Sequence, residues 1–164
     1  MKQPYEPPLV CTVFINMNKE EYMKLAMSEA KKAYKENEVP IGCVIVKEDK
    51  VIAKAHNKKE KKNCSVHHAE IEAIKKACKV LNTWHLDGCE MYVTLEPCMM
   101  CTGAIVNSRI KKVYYSTADP KGGCIKTCFD ITKIKSINHH PEYKEGLLEE
   151  ESIKLLKSFF KDKR

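Results

Sequence analysis

No apolar run in this 164-residue chain approaches the roughly 18 residues that a membrane span needs, so a helical membrane protein is not expected. The strongest early run, Leu9 to Ile15, is broken by Thr12 and follows a single lysine, too little for a secretory segment. Glycine is scarce, at 6 residues, and no repeat or low-complexity linker interrupts the chain, which excludes a collagen-like or fibrous composition. Arginine is almost missing, occurring only at Arg109 and Arg164. The formal charge of +7 is therefore carried by lysine, and it attracts polyanions without supplying the forked donors that specific phosphate and base contacts favour. The charge permits a nucleic-acid partner and does not establish one.

What is present is enough for one domain with a real core: 43% hydrophobic and 31% charged residues. Nine cysteines in a chain without an export signal point to reduced thiols or metal ligation in a cytoplasmic protein, not to a disulfide framework. Cys43, Cys78 and Cys89 lie in apolar patterns and read as small core residues.

Residues 1–16 carry Pro4, Pro7 and Pro8 and read as an N-terminal extension to a domain over 17–164. Asn18 followed by Glu21 forms a capping signal, and Met23, Ala26, Met27, Ala30, Ala33 and Tyr34 then recur at helical spacing. Ile41 to Val46 and Val51 to Ala55 are strand-like runs around Lys47-Glu48-Asp49-Lys50, a hairpin signal. A second helix begins near His68, with Ile71, Ile74, Cys78 and Leu81 on one face. Glu90 to Leu95 is a short strand, Pro97 suits the first turn of a following helix, Val113 to Thr117 is another strand, and a last helix spans about Leu147 to Phe160. Alternating strands and helices predict a single α/β sandwich.

Two segments concentrate the chemistry: His68-Ala69-Glu70 and Pro97-Cys98-Met99-Met100-Cys101. Cys98 and Cys101 are three apart at a helix start, so both sulfurs face one way and the helix N-terminus favours their thiolates. His68, opening another helix, supplies a third ligand. Three N/S ligands fit a catalytic zinc, which keeps a fourth position for water, whereas a structural site normally takes a fourth Cys or His. Glu70 is a poor soft ligand but stands where it can exchange protons with that water and a leaving amine. Alone, a Cys-x-x-Cys is as readily redox-active or buried, and a His-x-Glu means almost nothing. The combination is the signature of zinc-dependent base deaminases.

With these motifs stand Glu38-Val39-Pro40-Ile41-Gly42, Ala55-His56-Asn57, Leu95-Glu96-Pro97-Cys98, Asn107-Ser108-Arg109-Ile110, Asp119-Pro120-Lys121-Gly122-Gly123-Cys124 and the tail Glu145 to Glu151 with Phe159-Phe160. From about Glu20 to Arg164 the chain resembles the tRNA-specific adenosine deaminases of the cytidine deaminase superfamily, bacterial type. The resemblance implies a three-layer α/β/α sandwich with a mixed five-stranded sheet, and hydrolysis of adenosine to inosine at the wobble position of tRNA anticodons. It implies one Zn²⁺ per chain on His68, Cys98 and Cys101, with Glu70 as proton shuttle. It also implies that Asn57 binds the flipped adenosine, that Asp119 and Lys121 contact the anticodon loop, and that the chain forms a homodimer. On the residues alone Asn57 is a turn residue, and Asp119 to Gly123 is a good turn. The run Lys58 to Lys62 reads as a solvated loop.

The chain departs from the family where Pro-Thr-Ala usually precedes the zinc histidine: here stands Ser65-Val66-His67. His67 therefore offers a second imidazole beside the ligand, and the spacing to Glu70 favours His68. The competing readings are a deaminase of free guanine, cytosine or nucleosides, with the same metal and Glu70, and a noncatalytic zinc module, against which Glu70 weighs.

Overall fold

The computed structural model describes residues 17–163, so the expected extension over 1–16 lies outside the described residues. Helix α1 (Lys19–Lys35) starts at the expected capping box: Glu21 N–H donates to Asn18 Oδ1 at 3.0 Å and Asn18 N–H to the Glu21 carboxylate at 2.6 Å. Strands β1 (Gly42–Lys47) and β2 (Lys50–His56) form the hairpin. Its central residues Glu48 and Asp49 both take left-handed φ, 48° and 58°, as the tight turn of a twisted hairpin requires. Then come α2 (Ala69–Leu81), β3 (Glu90–Leu95), α3 (Met99–Asn107), β4 (Lys112–Thr117), one 3₁₀ turn (Ile131–Lys133), β5 (Glu142–Glu145) and α4 (Glu149–Asp162).

The five strands form one sheet in the order β2-β1-β3-β4-β5. β1 runs antiparallel to β2 and β3, while β3, β4 and β5 are mutually parallel, so the sheet is mixed. The strand period of two sorts the core into two faces. Cys43, Ile45, Met91, Val93, Val113 and Tyr115 point to one side, among Ala69, Ala73, Ala77 and Ile105 of α2 and α3. Val44, Val46, Tyr92 and Tyr114 point to the other, against Tyr22, Met23 and Ala26 of α1, with Leu147 and Leu148 of the α4 entry packed at the edge. This is the expected three-layer sandwich. Gly42 lets α1 lie directly on β1, because a Cβ there would stand 1.9 Å from the Ala26 carbonyl oxygen.

One local reading changes, and one strand had no local signal. Pro97 precedes the helix instead of entering its first turn, because Cys98 is the N-cap of α3. The free Pro97 carbonyl accepts Cys124 N–H at 2.9 Å. The residue pattern also gives no sign of β5: Glu-Tyr-Lys-Glu has no apolar alternation, and this short edge strand is set by its parallel register, Lys112 opposite Glu142 and Tyr115 opposite Glu145.

Register fixes where chemistry can occur. Gly42 pairs with His56, Cys43 with Val93, and Leu95 with Thr117, so the start of β1 and the ends of β2, β3 and β4 share one edge of the sheet. The segments leaving that edge open α2 and α3.

Candidate active site

His68 and Cys98 occupy equivalent places, each in extended conformation as the N-cap of the helix that leaves the sheet edge. Neither side chain caps its own helix, which leaves both free to turn toward each other. Cys101, one turn into α3, is fully buried. The His68 Nδ1 atom lies 3.6 Å from both Cys98 Sγ and Cys101 Sγ. Bond lengths of about 2.0–2.3 Å around a tetrahedral zinc place nitrogen and sulfur ligands about 3.6 Å apart, so the spacing is that of a metal site. Among the described residues this is the set of three donors gathered closely enough to hold a metal ion. His67, the competing imidazole, turns away: its Nδ1 pairs with Glu72 Oε1 at 2.8 Å.

The electrostatics agree with a site built for a cation. Hydrogen bonding from the Cys101 thiol and from His68 draws Cys98 down to about 4, despite its partial burial. Cys101, bonded to that thiolate and buried, is pushed up, and the Cys98 hydrogen bond raises His68. A Cys98 thiolate thus lies against the Cys101 thiol and the His68 imidazole, a donor set whose negative charge a divalent cation would take up. Glu70, in the first turn of α2, is 4% exposed, and its Oε2 is buried with no partner. Burial lifts its carboxyl to about 7, with Cys98, His68 and Cys101 as its nearby polar groups. An unpartnered carboxylate oxygen beside three metal donors is the feature expected of a proton carrier and is costly otherwise.

The residues flanking this centre are held by main-chain contacts. Lys58 N–H donates to the His67 carbonyl at 3.0 Å, tying the end of β2, and so Asn57, to the metal turn. Asn57 is buried; its Oδ1 accepts Lys59 N–H at 3.2 Å, an Asx turn, while its Nδ2 has only a 3.4 Å contact to the Val39 carbonyl. The turn expected from the residues alone is therefore present. Asp119 and Lys121 form another, Lys121 N–H to Asp119 Oδ1 at 3.0 Å, and Gly123 bridges to Cys98. Lys121 is exposed, and of the run Lys58 to Lys62, residues 59–62 form the expected solvated turn while Lys58 is half-buried before it.

Two buried carboxylates in this region had no assigned role. Glu38, fully buried, accepts Glu60 N–H at 3.1 Å and Lys61 N–H at 2.7 Å. Glu96, 2% exposed, accepts main-chain donors from Asp119 to Thr127. Their signal was an acidic residue standing one or two positions before a proline at the sheet edge (Glu38-Val39-Pro40 and Glu96-Pro97), a pattern no surface loop requires. Cys43 and Cys89 are buried in the core and Cys78 packs against it, as expected; all cysteines among the described residues are free thiols.

Residues 17–164 match the model of the MafB19-like deaminase family. The tRNA-specific adenosine deaminase of Bacillus subtilis (strain 168) is 49% identical over 145 residues, 88% of this chain and 90% of that protein. A solved tRNA:A34 deaminase, which edits A to I at the wobble position of transfer RNA, superposes with a TM-score of 0.82 at 40% identity, over 84% of this chain and all of that one. A guanine deaminase from Bacillus subtilis matches with a TM-score of 0.60 at 41% identity, over 62% of this chain and 66% of that one.

Proposed function

The chain belongs to the MafB19-like deaminases and to the family of the tRNA-specific adenosine deaminases, and from that premise we propose that it hydrolyses the wobble adenosine of tRNA anticodons to inosine. The guanine-deaminase reading is less favoured, because that match covers a smaller part of both chains. The observation that carries the chemistry is the unpartnered, buried Glu70 Oε2 beside the His68, Cys98 and Cys101 donors.

His68 Nδ1, Cys98 Sγ and Cys101 Sγ would hold one zinc ion per chain. Zinc so bound lowers the pKa of water toward neutrality and supplies a nucleophile at physiological pH. Glu70 takes a proton from the attacking water and delivers it to adenine N1; it then moves the second proton, from the hydroxyl added at C6, to the amino group, so the C6–N bond breaks, ammonia leaves and the C6 carbonyl of inosine remains. Its burial keeps the carboxyl near neutrality, the range in which one group accepts and donates. Asn57, at the end of β2, would orient the flipped base, with Asp119 and Lys121 holding the flanking RNA backbone. A stacked adenine is out of reach, whereas an anticodon loop presents a splayed base. Substrates of this kind place the enzyme in the cytoplasm; among the described residues no helix is long and apolar enough to cross a membrane.

The same reading includes a homodimer. Helix α3 contains no charged residue, and its outward side leaves Met99 67% exposed, with Gly103 and Asn107 exposed and Met100, Ala104 and Val106 only half-buried. A second copy would cover that face. Light scattering across a concentration series should give twice the chain mass; a single-chain mass throughout would remove the dimer. Incubation with an anticodon stem-loop bearing wobble adenosine should yield inosine, and RNA left unchanged by zinc-loaded protein would remove the activity.

A further inference from the structure

The loop that follows β4 carries Asp119 and Lys121, and its main-chain donors converge on one side chain. Glu96 Oε1 accepts Ile125, Lys126 and Thr127 N–H at 3.1, 2.9 and 3.1 Å; Oε2 accepts Asp119 N–H at 3.1 Å and the Thr127 hydroxyl. Glu96 is 2% exposed. The loop folds so tightly over it that a Cβ on Gly123 would stand 2.2 Å from Glu96 Oε2. The same loop is stitched to the metal turn, through the Cys98–Gly123 bridge and Cys124 N–H to the Pro97 carbonyl. Glu96 sits between those two halves, at the end of β3 and two residues before Cys98. Only a carboxylate offers acceptor sites for this many donors at once. Glutamine would keep one oxygen and aim its own N–H groups at the amides, and an apolar residue would take the acceptor from four main-chain amides, one of them, Ile125 N–H, buried.

We propose that Glu96 is a positioning residue for RNA: it fixes the loop bearing Asp119 and Lys121 in register with the Cys98 turn, so the grip on the anticodon loop depends on a carboxylate that never touches the substrate. This rests on the reading that Asp119 and Lys121 contact RNA.

The test is a double-mutant cycle on an anticodon stem-loop with wobble adenosine, using zinc-loaded protein. Glu96→Gln should raise KM about tenfold, a loss of the size expected when a buried carboxylate is lost to its donors, while kcat changes less than threefold and zinc content stays unchanged. Lys121→Ala should raise KM in the parent protein and have little effect in the Glu96→Gln background, because the grip it serves is already lost. A Glu96 that merely stabilises the fold would lower Tm and leave the two effects additive. That result overturns the proposal, as does zinc loss in Glu96→Gln, which would assign the residue to the metal turn. If Lys121→Ala and Asp119→Ala leave KM unchanged in the parent protein, the RNA-contact reading itself fails. Thr127→Val removes one donor and keeps the carboxylate, so it carries the same test at about threefold should the glutamine variant not fold; an unchanged KM there also counts against the proposal.

Discussion

Glu70 and the three donors gathered beside it, His68, Cys98 and Cys101, carry the site's demands on single side chains. A carboxylate raised to about 7 by burial costs the fold stability once it ionises, from the ordinary value of 4.5 upward, and the cost is complete above the raised value. Glu70→Gln should therefore leave the Tm of zinc-depleted protein unchanged at pH 4 and raise it at pH 8. In the zinc-loaded protein the same variant should lose about 10²–10⁴-fold in turnover with zinc content intact. Turnover within threefold of the parent would remove the proton-shuttle role. Metal analysis separates the two imidazoles: His68→Ala, Cys98→Ala and Cys101→Ala should lose zinc, and His67→Ala should retain it because His67 is engaged by Glu72 at 2.8 Å. That His68, Cys98 and Cys101 would come together was legible in the sequence, because a metal site demands particular side chains at particular spacings. Glu96 and Glu38 left only the weaker sign of an acidic residue just before a proline, because such a residue gains a structural role from amides that lie elsewhere in the chain, 23 to 31 positions on for Glu96.

At the scale of elements, α1 is fastened to the site edge by a charged network around His56. Its Nδ1 lies 2.9 Å from Glu29 Oε2 and its Nε2 3.3 Å from Glu36 Oε2; Lys32 and Lys61 complete the pairs. Burial pushes Glu29 up, but the hydrogen bonds from Lys32 and His56 outweigh it and hold its carboxyl below the ordinary value; the His56 hydrogen bond does the same for Glu36. The stabilisation from lowered carboxyls is present above the ordinary 4.5 and is lost as pH falls through the lower folded values. The Tm gap between the parent protein and Glu29→Gln should accordingly be widest near neutrality and narrow below about pH 4.5; a gap independent of pH would exclude this network as its source. Gly42→Ala, which drives a Cβ against the Ala26 carbonyl, should cost about 1–3 kcal/mol in thermal or urea unfolding. Helices and inner strands were readable from periodicity because their burial is one-sided or complete. β5 was not, since an edge strand of Glu-Tyr-Lys-Glu takes its form from the backbone of β4.

Taken whole, the molecule puts the His68, Cys98 and Cys101 donors, Glu70 and the residues proposed to meet RNA on one edge of a mixed sheet, where α2 and α3 begin. The sandwich could be expected from alternating elements, but the order β2-β1-β3-β4-β5 could not, because pairing between strands distant in sequence leaves no trace in local composition. The +7 charge, almost all lysine, implies an electrostatic contribution to RNA binding, so stem-loop affinity should fall linearly with salt on logarithmic axes. The most direct measurement is product identification with zinc-loaded protein offered, in parallel, an anticodon stem-loop with wobble adenosine, free adenosine and free guanine. Inosine at the wobble position with little turnover of either free compound is the result this structure and its relatives predict; rapid ammonia release from free guanine with an unedited stem-loop would contradict it.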